Sequence, residues 1–147
     1  MKSIVELEIE APLERVAALL AEPGNMTRWM DDLERVEILS GEPGIPGSTF
    51  RMVGKAGSAQ SDFVVTVTRR TLPKALGLKL QSPSVDVAVA DTFTALSARR
   101  TKLVSEEVFR FHGLFNTLFS FLARNTIRKH HRRHIESFKR FAEDTSK

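Results

Sequence analysis

The sequence predicts an α+β fold in which an antiparallel sheet of about seven strands packs against one long C-terminal helix. Two observations predict it: hydrophobic residues alternate with a period of two in seven segments, and a helical period takes over after Gly113. Two short helices are expected after the first strand. The chain has 147 residues, of which 41% are hydrophobic, and this is enough for one domain spanning residues 1–147.

The first strand and the two short helices have separate signals. Residues 3–10 alternate between apolar side chains and glutamates, which is typical of a half-buried strand. Pro12 then suits the first position of a helix, where its missing N–H costs nothing. Pro23 and Gly24 end that helix, and residues 25–30 form the second one, with an asparagine as its N-cap.

Six further strands are expected in succession. Residues 41–47 are rich in glycine and proline and form a turn after the first of them. Ser97 to Arg100 form the polar connection of the last hairpin. The predicted strands cover about residues 33–40, 48–56, 60–70, 74–82, 84–96 and 101–112.

The last segment predicts a single helix of about 30 residues, because no proline or glycine occurs from residue 114 to 147. At 1.5 Å per residue it would be roughly 45 Å long. Its apolar stripe repeats at helical spacing and comprises Phe115, Leu118, Phe119, Leu122, Ile127, Ile135, Phe138 and Phe141.

The positive charge is concentrated in this helix. Residues 113–147 contain 8 Lys+Arg against 3 Asp+Glu, whereas residues 1–112 contain 14 against 15. The pI of about 9.8 therefore reflects the solvated face of one helix and not a basic globule. This argues against nucleic acid as a partner and keeps an anionic membrane surface as a secondary possibility.

Composition excludes several classes of site. The chain has no Cys and no Tyr, which excludes disulfides, zinc–thiolate sites and tyrosine acid–base chemistry. No phosphate-binding loop and no cofactor motif is visible. The N-terminus lacks the apolar run of a secretory signal, so we expect a cytoplasmic protein.

Several segments, in this order and spacing, are similar to those of a known superfamily. The similarity covers nearly the whole chain, although Met30 stands where many members have a proline after the tryptophan. The matching segments are Val5–Ile9 with Ala11–Val16, Trp29 followed by Val36–Leu39, the glycine turn Gly44–Ser48, and the closing helix after Gly113.

The sequence thus resembles the helix-grip superfamily (SRPBCC), which includes START domains, birch-pollen-allergen-like proteins and polyketide cyclase/dehydrase-like proteins. The resemblance implies a curved sheet wrapped around the last helix, with a hydrophobic cavity between them. It implies binding of lipids, isoprenoid quinones or polyketides in different branches, and catalysis in only some. It carries no universal catalytic residues, so no catalytic residue is assigned.

Strand alternation and helix spacing indicate which side chains line that cavity. If Ala95 pairs with Leu103, Asp91 opposes Glu107 and at least one of the two carboxyls has a raised pKa. The pair would be a polar anchor or an acid–base pair, unless the register slips toward solvent or Arg69 forms a structural ion pair. The candidate cavity residues are Trp29, Met52, Phe63, Val65, Leu78, Val89, Asp91, Phe93, Ser105, Glu107, Phe109, Phe119, Leu122, Ile127 and His131.

The histidines of the last helix do not predict a metal site. His130 and His134 are four residues apart and share one helix face, but no third ligand is suggested and basic residues surround them. We therefore expect no metal. One of His131 and His134 is expected to contact the cavity wall as a neutral packing residue.

Three functions remain open. The first is a non-catalytic carrier or sensor of a small hydrophobic ligand, which the architecture favours. The second is a cyclase/dehydratase-type enzyme that uses Asp91, Glu107 or a histidine. The third is a module that associates with a membrane or RNA through the basic helix. Ligand identity and oligomeric state do not follow from the sequence.

Overall fold

One seven-stranded antiparallel sheet and a long helix across its face make up the fold, as the sequence predicts. The computed structural model describes residues 1–114 and 116–147, so the predicted stripe residue Phe115 lies outside the described part. The elements are β1 (Lys2–Ile9), α1 (Leu13–Ala21), α2 (Met26–Trp29), β2 (Leu33–Ser40), β3 (Thr49–Gly54), β4 (Phe63–Thr71), β5 (Ala75–Gln81), β6 (Val85–Ser97), β7 (Arg100–Phe111) and α3 (Asn116–Thr145).

The strands lie in the order β1-β7-β6-β5-β4-β3-β2, so the first strand of the chain pairs with the last. Every neighbouring pair is antiparallel. Register shifts interrupt the ladders of β2, β4 and β6, and such irregularities bend a strand and increase its twist. The sheet is accordingly curved, and its concave face receives α3.

The register of the β6–β7 hairpin corrects one prediction. Ala95 pairs with Thr101, and not with Leu103 as predicted. The predicted register is wrong by two residues because Ser97 already pairs with Arg100, which leaves a connection of only two residues. Since side chains alternate with a period of two, this shift keeps the predicted faces and changes only which side chains are directly opposed.

The helix α3 has two halves with different surroundings. In its packed half, residues 131–142, Ile135, Phe138 and Ala142 are buried in the core. The ring of Phe138 meets that of Trp29 edge-on, with centroids 5.5 Å apart. This contact joins α3 to α2 and fixes the C-terminal part of the helix on the sheet.

In the open half of α3, residues 117–127, several apolar side chains are exposed and none is part of the core. Leu118, Phe121 and Leu122 are 57%, 63% and 69% exposed. The helix therefore stands off the sheet at this end and leaves a space beneath it. Among the helices that the structure describes, none is long and apolar enough to span a membrane.

Candidate ligand cavity

Two adjoining pockets occupy the space between the sheet and α3. The inner pocket has a volume of about 90 Å³ and lies next to the packed half of α3. The outer pocket has a volume of about 610 Å³ and reaches the surface beneath the open half. The two pockets adjoin, since five residues line both of them: Met30, Met52, Leu80, Glu107 and His134.

Most of the candidate residues from the sequence lie on these walls. Alternate side chains of a strand point toward the concave face, so the alternation of apolar residues in the sequence is enough to predict the candidates on strands. The inner pocket has Trp29, Leu78, Val89, Asp91 and Ser105, the outer pocket has Phe63, Phe109, Phe119 and Ile127, and both contact Met52 and Glu107.

Four candidates lie elsewhere. Val65 and Phe93 are buried in the core beneath the cavity wall. His131 is buried and contacts the hydroxyl of Ser105, which lines the inner pocket, but His131 itself lines neither pocket. Leu122 is exposed to solvent and lines neither pocket.

Other lining residues were not candidates. Leu76 and Leu80 flank Leu78 at a spacing of two on β5, so the same alternation could have identified them. His130 contacts the outer pocket, and His134, one helical turn beyond it, contacts both pockets. The sequence predicts one of His131 and His134 at the cavity wall, and His131 lines neither pocket. The loop segment 59–61 also lines this pocket, but nothing in its sequence marks it, since a loop has no fixed periodicity.

A polar cluster lies in the floor of the inner pocket, where β6, β7 and β1 run side by side. Asp91 opposes Ser105 across the β6–β7 ladder, and Ser3 opposes Glu107 across the β1–β7 ladder. His131 reaches down from α3 between them. Its Nδ1 lies 2.8 Å from the Ser3 hydroxyl and its Nε2 lies 3.0 Å from the Ser105 hydroxyl.

Burial changes the protonation of this cluster. It raises the pKa of Asp91 to about 6, against the opposing hydrogen bond from Ser105. It raises the pKa of Glu107 to about 8, and the negative charge of Asp91 adds to this effect. Glu107 therefore holds its proton at neutral pH. The pKa of His131 falls to about 4, mainly through burial and further through neighbouring positive charges, so the imidazole is neutral.

Arg69 is not the partner of these carboxyls. It is exposed on β4, and its guanidinium Nε donates to the Thr71 hydroxyl at 3.3 Å. The structural ion pair with Arg69, one of the alternatives from the sequence, is therefore wrong.

Two polar atoms of the inner pocket are unsatisfied within residues 1–114 and 116–147. They are Oδ1 of Asp91 and Nε1 of Trp29, both buried and without a hydrogen-bond partner there. A buried unsatisfied polar group costs about 1–3 kcal/mol. The Asp91 oxygen is an acceptor and the Trp29 N–H is a donor, so together they favour a ligand that has complementary polar groups.

A second polar cluster lies at the edge of the outer pocket. Asp32 follows α2, and its Oδ1 accepts a hydrogen bond from Nε2 of His134 at 3.0 Å. Nε2 of His130 lies 3.7 Å from the other carboxylate oxygen. Burial lowers the pKa of both histidines, and for His130 the neighbouring His134 lowers it further. Burial also disfavours the Asp32 carboxylate, but the His134 hydrogen bond and the nearby imidazoles outweigh this and lower its pKa.

The comparison with known families agrees with this architecture. The family model "Polyketide cyclase / dehydrase and lipid transport" matches residues 2–143. The chain belongs to this family. No curated protein matches the sequence.

Solved structures show how the polyketide cyclase/dehydrase family fold recurs at low identity. A START superfamily protein from Mycobacterium smegmatis has a TM-score of 0.78 at 14% identity, covering 98% of both chains. Norcoclaurine synthase from Thalictrum flavum has a TM-score of 0.74 at 11% identity, covering 98% of this chain and 88% of its own. The Zhui aromatase/cyclase from Streptomyces sp. R1128 has a TM-score of 0.67 at 18% identity, covering 96% and 95%. These similarities show a common fold.

Proposed function

We propose that this protein binds and carries a small hydrophobic molecule that has one oxygen-containing polar end, such as a lipid, an isoprenoid or a polyketide-like compound. The observation that carries the proposal is the outer pocket of about 610 Å³, with largely apolar walls and the Glu107 carboxyl at its inner end. Ligand sites of this kind combine an apolar surface with a few polar groups that orient the guest. The family description, which includes lipid transport, supports the same class.

The polar end of the ligand would enter the inner pocket. There a protonated Glu107 can donate a hydrogen bond to a carbonyl or hydroxyl oxygen. Asp91 Oδ1 can accept from a hydroxyl, and Trp29 Nε1 can donate. A carboxylate or phosphate at this position would meet the negative charge of Asp91, so the arrangement favours a neutral polar end.

Native mass spectrometry of the protein purified from cells tests the proposal. We expect a copurified apolar compound that organic solvent extracts. Ala123→Trp places a large ring in the outer pocket and should remove the compound. Ala18→Trp, on the exposed face of α1, is the matched control and should retain it. Equal occupancy in both variants, or none in the unchanged protein, would contradict carriage.

The raised pKa of Glu107 favours a second candidate, a cyclase/dehydratase-type enzyme. A carboxylic acid that keeps its proton at neutral pH is suited to protonate a carbonyl oxygen or a leaving hydroxyl. A poly-β-keto thioester would serve as the probe, and its conversion would be followed by mass spectrometry. Glu107→Gln should abolish conversion while the probe still binds. A bound probe that is recovered unchanged from the unsubstituted protein would exclude this candidate.

The open half of α3 favours an additional role in docking on anionic membranes. Leu118, Phe121 and Leu122 are exposed, and the guanidinium of Arg124 lies 4.9 Å from the ring centre of Phe121. Apolar side chains next to cations suit the headgroup region of an anionic bilayer. The same half covers the outer pocket, so a docked protein would receive its ligand from the lipid phase.

Flotation with phosphatidylglycerol vesicles tests this docking role, with phosphatidylcholine vesicles as the charge control. Binding should occur to the anionic vesicles and weaken with salt. The double substitution Leu118→Ser, Phe121→Ser should remove it. Equal flotation of the doubly substituted and unsubstituted proteins would contradict the role.

A further inference from the structure

We propose that Asp32, His130 and His134 form a binding site for one divalent transition-metal ion at the wall of the outer pocket. Asp32 belongs to the turn between α2 and β2, and the two histidines lie one helical turn apart on α3. Each side chain offers one ligand atom, and all three atoms lie within 4.8 Å of one another. The fold thus supplies the third ligand that the sequence of α3 does not contain.

The geometry is close to that of a bound ion. Zinc binds imidazole nitrogen and carboxylate oxygen at about 2.0–2.2 Å, which places two ligand atoms of a tetrahedral site roughly 3.3 Å apart. Asp32 Oδ1 and His134 Nε2 are 3.0 Å apart, and Asp32 Oδ2 and His130 Nε2 are 3.7 Å apart. His130 is only partly buried, and its ring would have to rotate to bring its nitrogen to an ion held by the other two side chains.

The surrounding charges permit a cation. Asp32 is buried, and the exposed Asp31 next to it in the chain adds a second negative charge nearby. Of the basic neighbours in α3, Arg132 turns away to pair with Glu136 at 3.5 Å. The guanidinium of Arg133 lies 3.3 Å from Asp32 Oδ2, so an ion bound here would share the Asp32 carboxylate with it. Hydrogen bonds of this kind to a ligating carboxylate are common around metal sites.

The ligand set suits a particular group of metals and leaves room for a guest. Two imidazoles and one carboxylate favour zinc, iron, cobalt, nickel or copper over calcium and magnesium. Both histidines line the outer pocket, so the remaining coordination position would face the cavity. An oxygen atom of a molecule in the outer pocket could occupy that position. The site goes beyond the proposed function, because an ion can bind here whether or not the cavity carries an organic ligand.

Calorimetric titration of the metal-free full chain with zinc chloride tests the site, with no organic ligand present. The unsubstituted protein should bind one equivalent of Zn²⁺. His130→Ala, His134→Ala and Asp32→Asn should each weaken binding by at least about tenfold. His112→Ala is the matched control, because this histidine lies outside the cluster and pairs with Asp86, so it should leave the affinity unchanged.

Cobalt(II) gives a second measurement that reports on the ligands themselves. Co²⁺ added to the unsubstituted protein should produce the visible absorption bands of a low-symmetry nitrogen–oxygen site, and His130→Ala should lose them. His130 is partly exposed, so its substitution preserves the fold, and circular dichroism verifies this. The proposal is overturned if the unsubstituted protein binds no stoichiometric Zn²⁺, or if folded His130→Ala binds it as tightly as the unsubstituted chain. In that case the three side chains form a hydrogen-bond network only.

Discussion

The two halves of α3 share one helix and one apolar stripe, yet only one of them is part of the core. In the packed half, Phe138 is fully buried and Ile135 is 5% exposed. In the open half, Leu118 and Leu122 are mostly exposed. The packed half meets Trp29 of α2 and the strand β1, whereas the open half faces the outer pocket. The packed half stabilises the fold, and the open half covers a pocket that a ligand could occupy.

This difference implies that apolar residues of the same helix contribute unequally to the free energy of unfolding. A side chain contributes to stability when folding removes it from water, by about 25 cal/mol per Å² of apolar surface. The exposed residues of the open half contribute little of this kind. They are available instead for interactions with a ligand or a membrane.

The largest expected effect on stability comes from shortening one apolar side chain to alanine in the packed half, compared with the same change in the open half. Phe138→Ala should lower the free energy of unfolding by about 3–5 kcal/mol, because it leaves a cavity in the core. Leu122→Ala should lower it by less than about 0.5 kcal/mol, since this side chain is exposed. Urea unfolding followed by circular dichroism measures both. Similar losses for the two variants would show that the open half packs as firmly as the other.

The next effect concerns Glu107, which lies below the junction of the two halves. The native state keeps a proton up to a pKa of about 8, whereas the unfolded chain releases it near 4.5. Stability should therefore fall as pH rises from about 4.5 to about 8. Glu107→Gln should remove most of that fall, because the amide cannot take up a proton. Glu106→Gln, next to it on the opposite face of β7, is the control and should leave the pH profile unchanged.

Urea unfolding at a series of pH values gives this profile. An alkaline decline as steep in Glu107→Gln as in the unsubstituted protein would show that another group causes it. Titration of Glu107 by NMR in the ligand-free protein provides an independent measurement, and an ordinary carboxyl pKa there would contradict the polar floor described above.

The smallest effect concerns His131, at the beginning of the packed half. Its pKa is lowered to about 4, while the unfolded chain takes up the proton near 6.5. Stability should therefore fall as pH drops from about 6.5 to about 4. His131→Gln retains a donor and an acceptor for the hydroxyls of Ser3 and Ser105 and should remove most of that fall. His112→Gln is the exposed control, and an equal change in both variants would contradict the assignment.

The order of the elements follows from the sequence because each one has a local cause. Alternation predicts β2 over residues 33–40, and the structure has the same bounds. The register of β6 on β7 is harder to predict from the sequence. A connection of two residues and one of four have the same alternation in both strands, and they differ only in whether Ser97 pairs with Arg100. The predicted stripe of α3 also contained no sign that Leu122 would face solvent, because exposure depends on how far a helix stands from its sheet.

The polar residues of the site show more clearly what a periodic sequence pattern can and cannot predict. Asp91 and Glu107 could be placed on the cavity side from alternation alone. Asp32 could not be connected with His130 and His134, which follow it by about a hundred residues in an unrelated element. A periodic pattern identifies which face a side chain occupies, but partners from distant elements meet only through the fold.

The pairing of β1 with β7 has a consequence for how the chain is made. Residues 2–9 pair with residues 101–108, so this strand has no partner until about a hundred residues after it have been synthesised. Contacts so distant in sequence are associated with slow folding. On a ribosome, β1 stays unpaired, with its apolar face exposed, until its partner strand has been translated and has left the exit tunnel. Synthesis of residues 101–108 thus limits how early this edge of the sheet can form.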